Sequence, residues 1–241
     1  MIEAFRSAGL GLAACQERLD VQGQNIANVN TAGYKPQETD FSDTLYSAYA
    51  LSNGGELAVG TGVKPTGTVS FTEQGAPEKT GRELDLMIKG DGYFCIQGED
   101  GGLSYTRAGN FSCSADGWLV SANGNYVLNG NLQRIPVNND GNESASGANA
   151  GGLMAEIGVF TFGNASGLVR KGGSLLGVSA SSGPAVQASG AEIRQGYLER
   201  SAVDLAEEMS RMIRAQRGFQ ANARMIRSAD EIEETVNQLR A

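Results

Sequence analysis

The sequence predicts an α+β protein in which N- and C-terminal α-helices form a coiled-coil-like domain and a central antiparallel all-β domain consists of β-meander hairpins. Apolar residues recur every seven positions near both ends and alternate with polar residues in the middle, where Asp-Gly and Asn-Gly pairs separate the alternating stretches. Seven-residue repeats are typical of coiled-coil helices, whereas alternation with Asx-Gly pairs is typical of β-hairpins.

The first helix is predicted from residue 1 to about residue 29. Its seam residues recur at an interval of seven: Phe5, Leu12, Leu19 and Ile26. Gly9, Gly11 and Gly23 each cost the helix about 1 kcal/mol relative to alanine, so we expect it to be marginal on its own. The helix therefore needs a packing partner.

The last helix is predicted to begin near Ser201 and Asp204, a capping-box-like pair followed by acidic residues that suit the helix dipole. Its seam residues also recur every seven positions: Leu205, Met212, Phe219 and Ile226. The apolar positions then move to another face, which includes Ile232 and Leu239. Because one straight helix then has apolar surface in two directions, we interpret the terminal helices as packing elements between subunits.

Five arginines of the last helix allow two interpretations, a nucleic-acid stripe or a solvated, salt-bridging face. They lie opposite the local seam, among many acidic residues: Arg211, Arg214, Arg217, Arg224 and Arg227. The net charge of −8 argues against binding to a phosphate backbone. We therefore predict the salt-bridging face and no nucleic-acid partner.

Short strands are predicted between the helices. Four dipeptides should supply the positive φ angles of hairpin turns: Asp91-Gly92, Asp116-Gly117, Asn123-Gly124 and Asn129-Gly130. The alternation at Leu84, Leu86 and Ile88 places Glu83 and Asp85 on the outer face of a strand. Residues 158–176 predict one more hairpin, and residues 138–152 lack a core anchor and predict a flexible linker.

The sequence predicts no catalytic, cofactor-binding or metal-binding residues. The chain has no histidine, so a Ser-His-Asp or Cys-His site cannot form. Its three cysteines are an odd number without CxxC spacing, and we interpret them as small buried hydrophobes. No apolar run is long enough to span a membrane. We expect a protein that is not an enzyme, has no cofactor or small-molecule substrate, and does not span a membrane.

Residues 12–15 (LAAC) favour one rival class, because they resemble the processing site of a bacterial lipoprotein. The preceding segment holds Glu3 as well as Arg6, and the apolar stretch is short and broken by glycines. A β-rich surface lipoprotein would also leave the C-terminal seven-residue repeat unexplained. We keep it as the minor alternative.

Five blocks, in order along nearly the whole chain, resemble the flagellar rod and hook protein family. The first block is residues 27–35 (ANVNTAGYK), with the signature residues Ala27, Asn28, Thr31, Gly33, Tyr34 and Lys35. Residues 84–94, 105–111 and 116–120 match central blocks, and residues 196–230 match the closing segment. A series of blocks in one order is far more specific than a single motif. The residues of the first block leave two roles open, a simple turn after the helix or a joint that also contacts neighbouring subunits.

The resemblance implies a structural subunit of the bacterial flagellar basal body that polymerises helically into a hollow, torque-transmitting shaft between motor and hook. Chain length and residues 60–65 (GTGVKP) favour the distal-rod type of the family, and a proximal-rod or hook-type axial subunit stays open. The implied partners are further copies of the chain, other rod and hook axial proteins, and the flagellar export apparatus. Export across the inner membrane without a cleaved signal peptide is also implied.

Three parts of the chain are expected to have separate tasks. Residues 1–34 plus 200–241 form the helical assembly domain, and residues 35–80 plus 185–199 form a connecting segment and β base. Residues 81–184 form the central β-rich head, with the flexible linker near 138–152.

Overall fold

The computed structural model describes residues 2–50, 56–98, 100–137, 157–188 and 190–240. The chain divides into two compact units. Unit 1 comprises Met1–Ala27, Gln37–Ser70 and Val203–Ala241, and unit 2 comprises Asn28–Pro36 and Phe71–Ala202. The three-part functional division stays a prediction, and the linker predicted at 138–152 lies outside the described residues.

The elements confirm the predicted α+β class, with a helix at each end and antiparallel strands between them. The helices are α1 (Ile2–Ala27) and α2 (Leu205–Arg240). The strands of unit 1 are β1 (Gln37–Asp43), β2 (Tyr46–Ala50), β3 (Glu56–Gly60) and β4 (Val63–Ser70). The strands of unit 2 are β5 (Pro77–Lys79), β6 (Leu86–Lys89), β7 (Tyr93–Gln97), β8 (Leu103–Thr106), β9 (Phe111–Cys113), β10 (Leu119–Ser121), β11 (Tyr126–Val127), β12 (Val159–Thr161), β13 (Val169–Gly172), β14 (Leu175–Gly177), β15 (Val186–Gln187), β16 (Glu192–Gln195) and β17 (Tyr197–Glu199).

Helix α2 begins where the local sequence supplies a cap. The Asp204 Oδ1 atom accepts hydrogen bonds from the backbone N–H groups of Ala206 (2.9 Å) and Glu207 (3.2 Å). These bonds satisfy donors that the first turn of a helix leaves without intrahelical partners. The predicted start of the helix is confirmed, but the cap is Asp204 itself and not Ser201.

In unit 1 the two helices pack antiparallel through small and polar side chains. A Cβ atom on Gly11 would lie 2.8 Å from Asn222 Nδ2, and one on Gly218 would lie 3.2 Å from Cys15 Sγ. Residue numbers therefore rise along α1 as they fall along α2. The buried residues of the helices are small or polar: Ala8, Ala14, Gln22, Asn25, Glu208 and Ala215.

A β-hairpin layer covers one side of α1. Strands β1 and β4 pair antiparallel, with a bulge between Asp40 and Phe41, and both pack on α1. The Arg18 guanidinium lies 5.0 Å from the centre of the Phe41 ring. The Asn25 side chain donates to the Gln37 carbonyl (2.8 Å) and accepts from the Gln37 N–H (3.0 Å), which fixes the start of β1 against the helix.

Unit 2 is built from antiparallel strands around two buried clusters. Its main sheet has the order β13-β14-β8-β7-β11-β10-β9, and β12 pairs with β7 and β15. Phe94 and Phe111 anchor one cluster, while Tyr105 and Phe160 anchor the other. The pairs β16–β6 and β17–β5 join strands more than a hundred residues apart in sequence. The hairpins β7–β8, β9–β10 and β10–β11 confirm the predicted meander.

Two of the four predicted hairpin turns form as expected. Gly117 (φ 77°) and Gly124 (φ 80°) close the β9–β10 and β10–β11 turns. Asp91-Gly92 does not close a hairpin, because β6 pairs with β16 and not with β7. After Asn129 the positive φ angle falls on Leu132 (60°) and not on Gly130, and Asn129 Oδ1 accepts from two N–H groups of the same turn.

Two further predictions in unit 2 are wrong. Residues 158–176 do not form one hairpin, because β12 pairs with β7 and β15 while β13 pairs with β14. Asp85 does not face solvent: it is 1% exposed, and the three residues after it are all buried. Alternation fails here because β6 is covered on both faces, as buried strands can be.

Candidate assembly surface and signature cluster

The predicted seam side chains lie beside the contact between the helices and not within it. On α1, Phe5 is 48% exposed, while Leu12, Leu19 and Ile26 are partly buried. On α2, Leu205 and Phe219 are 40% and 38% exposed, while Met212 and Ile226 are partly buried. Ile232 and Leu239, on the later face, are 51% and 85% exposed. Within one chain, large apolar side chains therefore remain open to solvent.

The two sets of seam residues lie on one flank of the helix pair. At 100° per residue, each set is rotated by roughly 70–80° from the face that meets the other helix, in the same sense when viewed from its own N-terminus. Because α1 and α2 run in opposite directions, the same offset on each helix places both sets of seam residues on the same side of the helix pair. We call this surface the seam flank: Phe5, Leu12, Leu19, Ile26, Leu205, Met212, Phe219 and Ile226.

The opposite flank of the helix pair carries the strands and several charged residues. A Cβ atom on Gly62 of the β3–β4 connection would lie 2.9 Å from Leu10 Cδ1. Arg211 of α2 lies 2.6 Å from a carboxylate oxygen of Glu207, 3.4 Å from one of Glu38 and 3.8 Å from one of Glu208. Burial raises the pKa of Glu208, while the Asn25 hydrogen bond and the Arg211 charge oppose this rise. One of the five arginines thus forms salt bridges within the chain.

The signature residues form a turn and then enter the interior of unit 2. Ala27 is the last residue of α1. The Thr31 backbone N–H donates to the Asn28 carbonyl, and the Thr31 hydroxyl donates to Asn28 Oδ1, both at 3.1 Å. Gly33 has φ of +67°, and a Cβ atom there would lie 2.6 Å from the backbone carbon of Arg107. Only glycine fits this position without displacing backbone.

Lys35 ends the signature in a buried cluster of three charges. Its ammonium group donates to Glu199 Oε1 and to the Glu73 carbonyl. Arg107 Nε lies 3.1 Å from Glu199 Oε2, and the Gly75 N–H donates to Glu199 Oε1 at 2.9 Å. The side chains of Lys35, Arg107 and Glu199 are 8%, 4% and 1% exposed. We call these three residues the signature cluster.

Hydrogen bonds around the signature cluster connect family-like sequence blocks that are distant along the chain. The Arg107 guanidinium donates to the Gly90 and Gly92 carbonyls, both at 2.6 Å. The Gly33 N–H donates to the Glu199 carbonyl (2.8 Å), and the Ala202 N–H donates to the Tyr34 carbonyl (3.1 Å). The Tyr34 ring lies under the Arg170 guanidinium, 5.0 Å from its centre. Four of the five sequence blocks therefore meet at one point.

The sequence alone assigns no role to Arg107 or Glu199. Both stand in the blocks that resemble the family, and a buried charge needs a partner of opposite sign. The sequence held one clue to the cluster: Lys35, Arg107 and Glu199 lie in three different blocks, and their charges are of opposite sign. Burial lowers the pKa of Lys35, and the hydrogen bond and charge of Glu199 oppose this effect. The cluster is thus a structural tie between chain segments.

Other candidate chemistry is limited to the cysteines. Cys95 is buried, and burial raises the pKa of its thiol to about 11, so the thiol stays protonated at neutral pH. Cys15 and Cys113 are partly exposed, so the expectation that all three are buried is correct only for Cys95. Among the described residues, no three acidic, cysteine or histidine side chains are grouped to hold a metal ion. No helix among the described residues is both long and apolar enough to cross a membrane.

Three family models match the chain in order. The model described as "Flagella basal body rod protein" matches residues 5–35, which include most of α1 and the signature. The model of the "Flagellar hook protein FlgE/F/G D1 domain" matches residues 87–150, and the model of the "Flagellar basal body rod FlgEFG protein C-terminal" matches residues 194–239. The matched segments contain all three residues of the signature cluster.

Curated relatives match over the full length. The flagellar basal-body rod protein FlgG of Bacillus subtilis is 40% identical over 98% of this chain and 99% of its own. FlgG of Caulobacter vibrioides is 35% identical over the whole of both chains, and FlgF of Rhizobium meliloti is 30% identical over 90% of this chain. The chain therefore belongs to the flagellar basal-body rod and hook protein family, and within it resembles the distal-rod type, FlgG.

Proposed function

We propose that this protein is a structural subunit of the distal flagellar rod, which polymerises helically into a hollow, torque-transmitting shaft between motor and hook. The single observation that carries the proposal is the seam flank, where eight large apolar side chains lie together without being fully buried. An apolar surface of this kind on one subunit marks a site of protein association. The full-length match to FlgG proteins supports the distal type over the proximal or hook type.

The proposed assembly element is a coiled-coil-like contact between helix pairs of neighbouring subunits. Phe5 and Phe219 contribute its largest apolar side chains, and burial of each such side chain is worth about 1.5 to 3 kcal/mol. Ile232 and Leu239 extend the apolar surface beyond the seam flank. The partners are other copies of the chain and, at the ends of the shaft, other rod and hook proteins.

The proposed route to the assembly site is the flagellar export apparatus, without a cleaved signal peptide. A Cβ atom placed on Gly9 or Gly23 of α1 would have no neighbour within 4 Å among the described residues, so packing does not require glycine there. Glycines at such positions weaken an isolated helix. A weak helix that gains its stability on assembly suits a chain that travels unfolded. The protein then acts as a structural subunit and not as an enzyme.

Aspartate substitutions in the seam flank test the proposal. Leu12→Asp and Phe219→Asp should each abolish polymers seen by sedimentation and electron microscopy, because the contact would bury a charge. Ala13→Asp and Gln220→Asp place the same charge on exposed neighbouring positions and should leave polymerisation intact. In cells, the two seam variants should be non-motile. Normal polymers from both seam variants would refute the assignment.

A further inference from the structure

The C-terminal end of α2 extends beyond its intramolecular partner. Gly11 of α1 lies opposite Asn222 of α2. Because the helices are antiparallel and both rise by about 1.5 Å per residue, Ile2 at the start of α1 lies opposite about residue 231 of α2. Every described side chain from residue 230 to residue 239 is exposed. These last turns of α2 therefore stand clear of the other described residues of unit 1.

This extension is amphipathic. Ile232, Val236 and Leu239 follow the i, i+4, i+7 spacing of one helix face, and they are 51%, 47% and 85% exposed. We call these three residues the end stripe. The turns around it are acidic, with Asp230, Glu231, Glu233 and Glu234, none of which forms an ion pair within the described part of the chain.

Unit 1 also contains an open groove of about 580 Å³ between its helices and its β-hairpin layer. Ala14, Cys15, Phe41 and Val63 supply its apolar lining. The charged residues of its lining are Arg18, Arg211, Arg214, Glu38 and Glu207. Both carboxylates lie against Arg211, whereas Arg18 and Arg214 form no ion pair among the described residues.

A buried polar atom in the same lining points to a missing partner. The Gln22 Oε1 atom has no hydrogen-bond partner in the part of the chain that the structure describes. A buried acceptor without a partner is costly, and a donor from a docked segment would remove that cost. The groove therefore offers apolar surface, positive charge and an acceptor to an incoming segment.

We propose that the end stripe of one subunit docks in the groove of a second copy of the chain. The aliphatic stripe matches the apolar lining, and the surrounding carboxylates match the guanidinium groups of Arg18 and Arg214. A groove of this volume accommodates several side chains, as pockets of about 300–1,000 Å³ do. The contact rests on the proposed polymerisation and gives it a direction, because an end of one subunit enters the side of the next.

The native Cys15 thiol allows a direct test by cross-linking. Val236→Cys places a second thiol on the end stripe. Within one chain the two cannot join, because Cys15 lies opposite Gly218 and position 236 lies about 27 Å further along α2. Under mild oxidation, polymers of Val236→Cys should yield chains linked between Cys15 and position 236, identified by peptide mass spectrometry. Leu239→Cys provides a second variant with the same expectation.

Two controls separate this proposal from polymerisation in general. Gln238→Cys puts the thiol on the opposite side of the same turns and should give no link to Cys15. Arg214→Glu should reduce the Val236→Cys link by about tenfold at low ionic strength, whereas Arg217→Glu, on the exposed side of α2, should not. Polymers that form without a Cys15 link at position 236 or 239 would overturn the groove proposal alone. Failure of the unaltered chain to polymerise would instead overturn the proposed function.

Discussion

At the scale of single residues, the buried charges of the signature cluster have the largest expected effect on stability. Glu199 is the only acid of the signature cluster, and it faces both Lys35 and Arg107. A buried ion pair adds little stability over an apolar pair, but removal of one partner leaves an uncompensated charge in a medium of low dielectric constant. The cluster therefore specifies which segments meet, and its loss is costly.

Glu199→Gln should destabilise unit 2 by about 3 to 5 kcal/mol, because two buried cations lose their shared counter-charge. Lys35→Met should destabilise unit 2 by less, because the Glu199 carboxylate keeps Arg107 and the Gly75 N–H as partners. The measurement is denaturant unfolding followed by the fluorescence of Trp118, the single tryptophan, which lies in unit 2. Glu192→Gln, which breaks the exposed pair with Lys89, is the control and should change little. Equal effects of Glu199→Gln and Glu192→Gln would contradict the role given to the cluster.

At the scale of elements, the helix pair uses small residues where the sequence pattern suggested large ones. Gly11, Cys15, Ala215 and Gly218 let the two backbones approach, and the large apolar residues are displaced to one side. The large seam residues and the adjacent small residues both recur every seven positions. The periodicity therefore predicts the two helices. It does not predict which of two adjacent stripes meets the partner, because that depends on side-chain volume across the contact.

Alanine substitutions at two nearby glycines of α1 should stabilise the helix pair to different extents. Gly9→Ala should stabilise the helix pair by about 0.5–1 kcal/mol, because Gly9 has open space around it and alanine is the better helix former. Gly11→Ala should gain less than Gly9→Ala, because its Cβ atom would lie 2.8 Å from Asn222 Nδ2 and the Asn222 side chain would have to shift. Far-UV circular dichroism during unfolding reports on both helices. Equal stabilisation by both substitutions would show that the close approach at Gly11 has no energetic importance.

The helix pair should also respond to pH through Glu208. Its pKa is higher in the folded protein than in the unfolded chain, so its stabilising contribution is complete below the unfolded pKa and is lost as pH rises through the folded value. Glu208→Gln removes this titration and keeps the acceptor for Asn25. The variant should therefore gain stability relative to the unaltered chain at neutral pH and lose that advantage near pH 4, about the pKa of an ordinary glutamate. A constant difference at both pH values would contradict the prediction.

At the scale of the whole molecule, local patterns and long-range contacts differ in how far the sequence predicts them. Helix α1, the start of α2 and the turns at Gly117 and Gly124 follow from neighbouring residues and were predictable. The pairing of β16 with β6 and the Lys35–Glu199 contact were not, because they join segments more than a hundred residues apart. Resemblance to the family marked the blocks that meet there, but only the fold gives their charges a shared site.

The two units should also separate in a truncation experiment. Unit 2 has its own buried clusters and contains the whole signature cluster, so removal of residues 203–241 should leave its unfolding, followed by Trp118, nearly unchanged. Helix α1 should lose much of its helicity, because its partner is gone and an isolated helix with several glycines is marginal. The truncated chain should remain monomeric in sedimentation, since half of the seam flank is missing. Polymers formed by the truncated chain would refute a central role for α2, and collapse of the Trp118 signal would show that unit 2 depends on the helices for its fold.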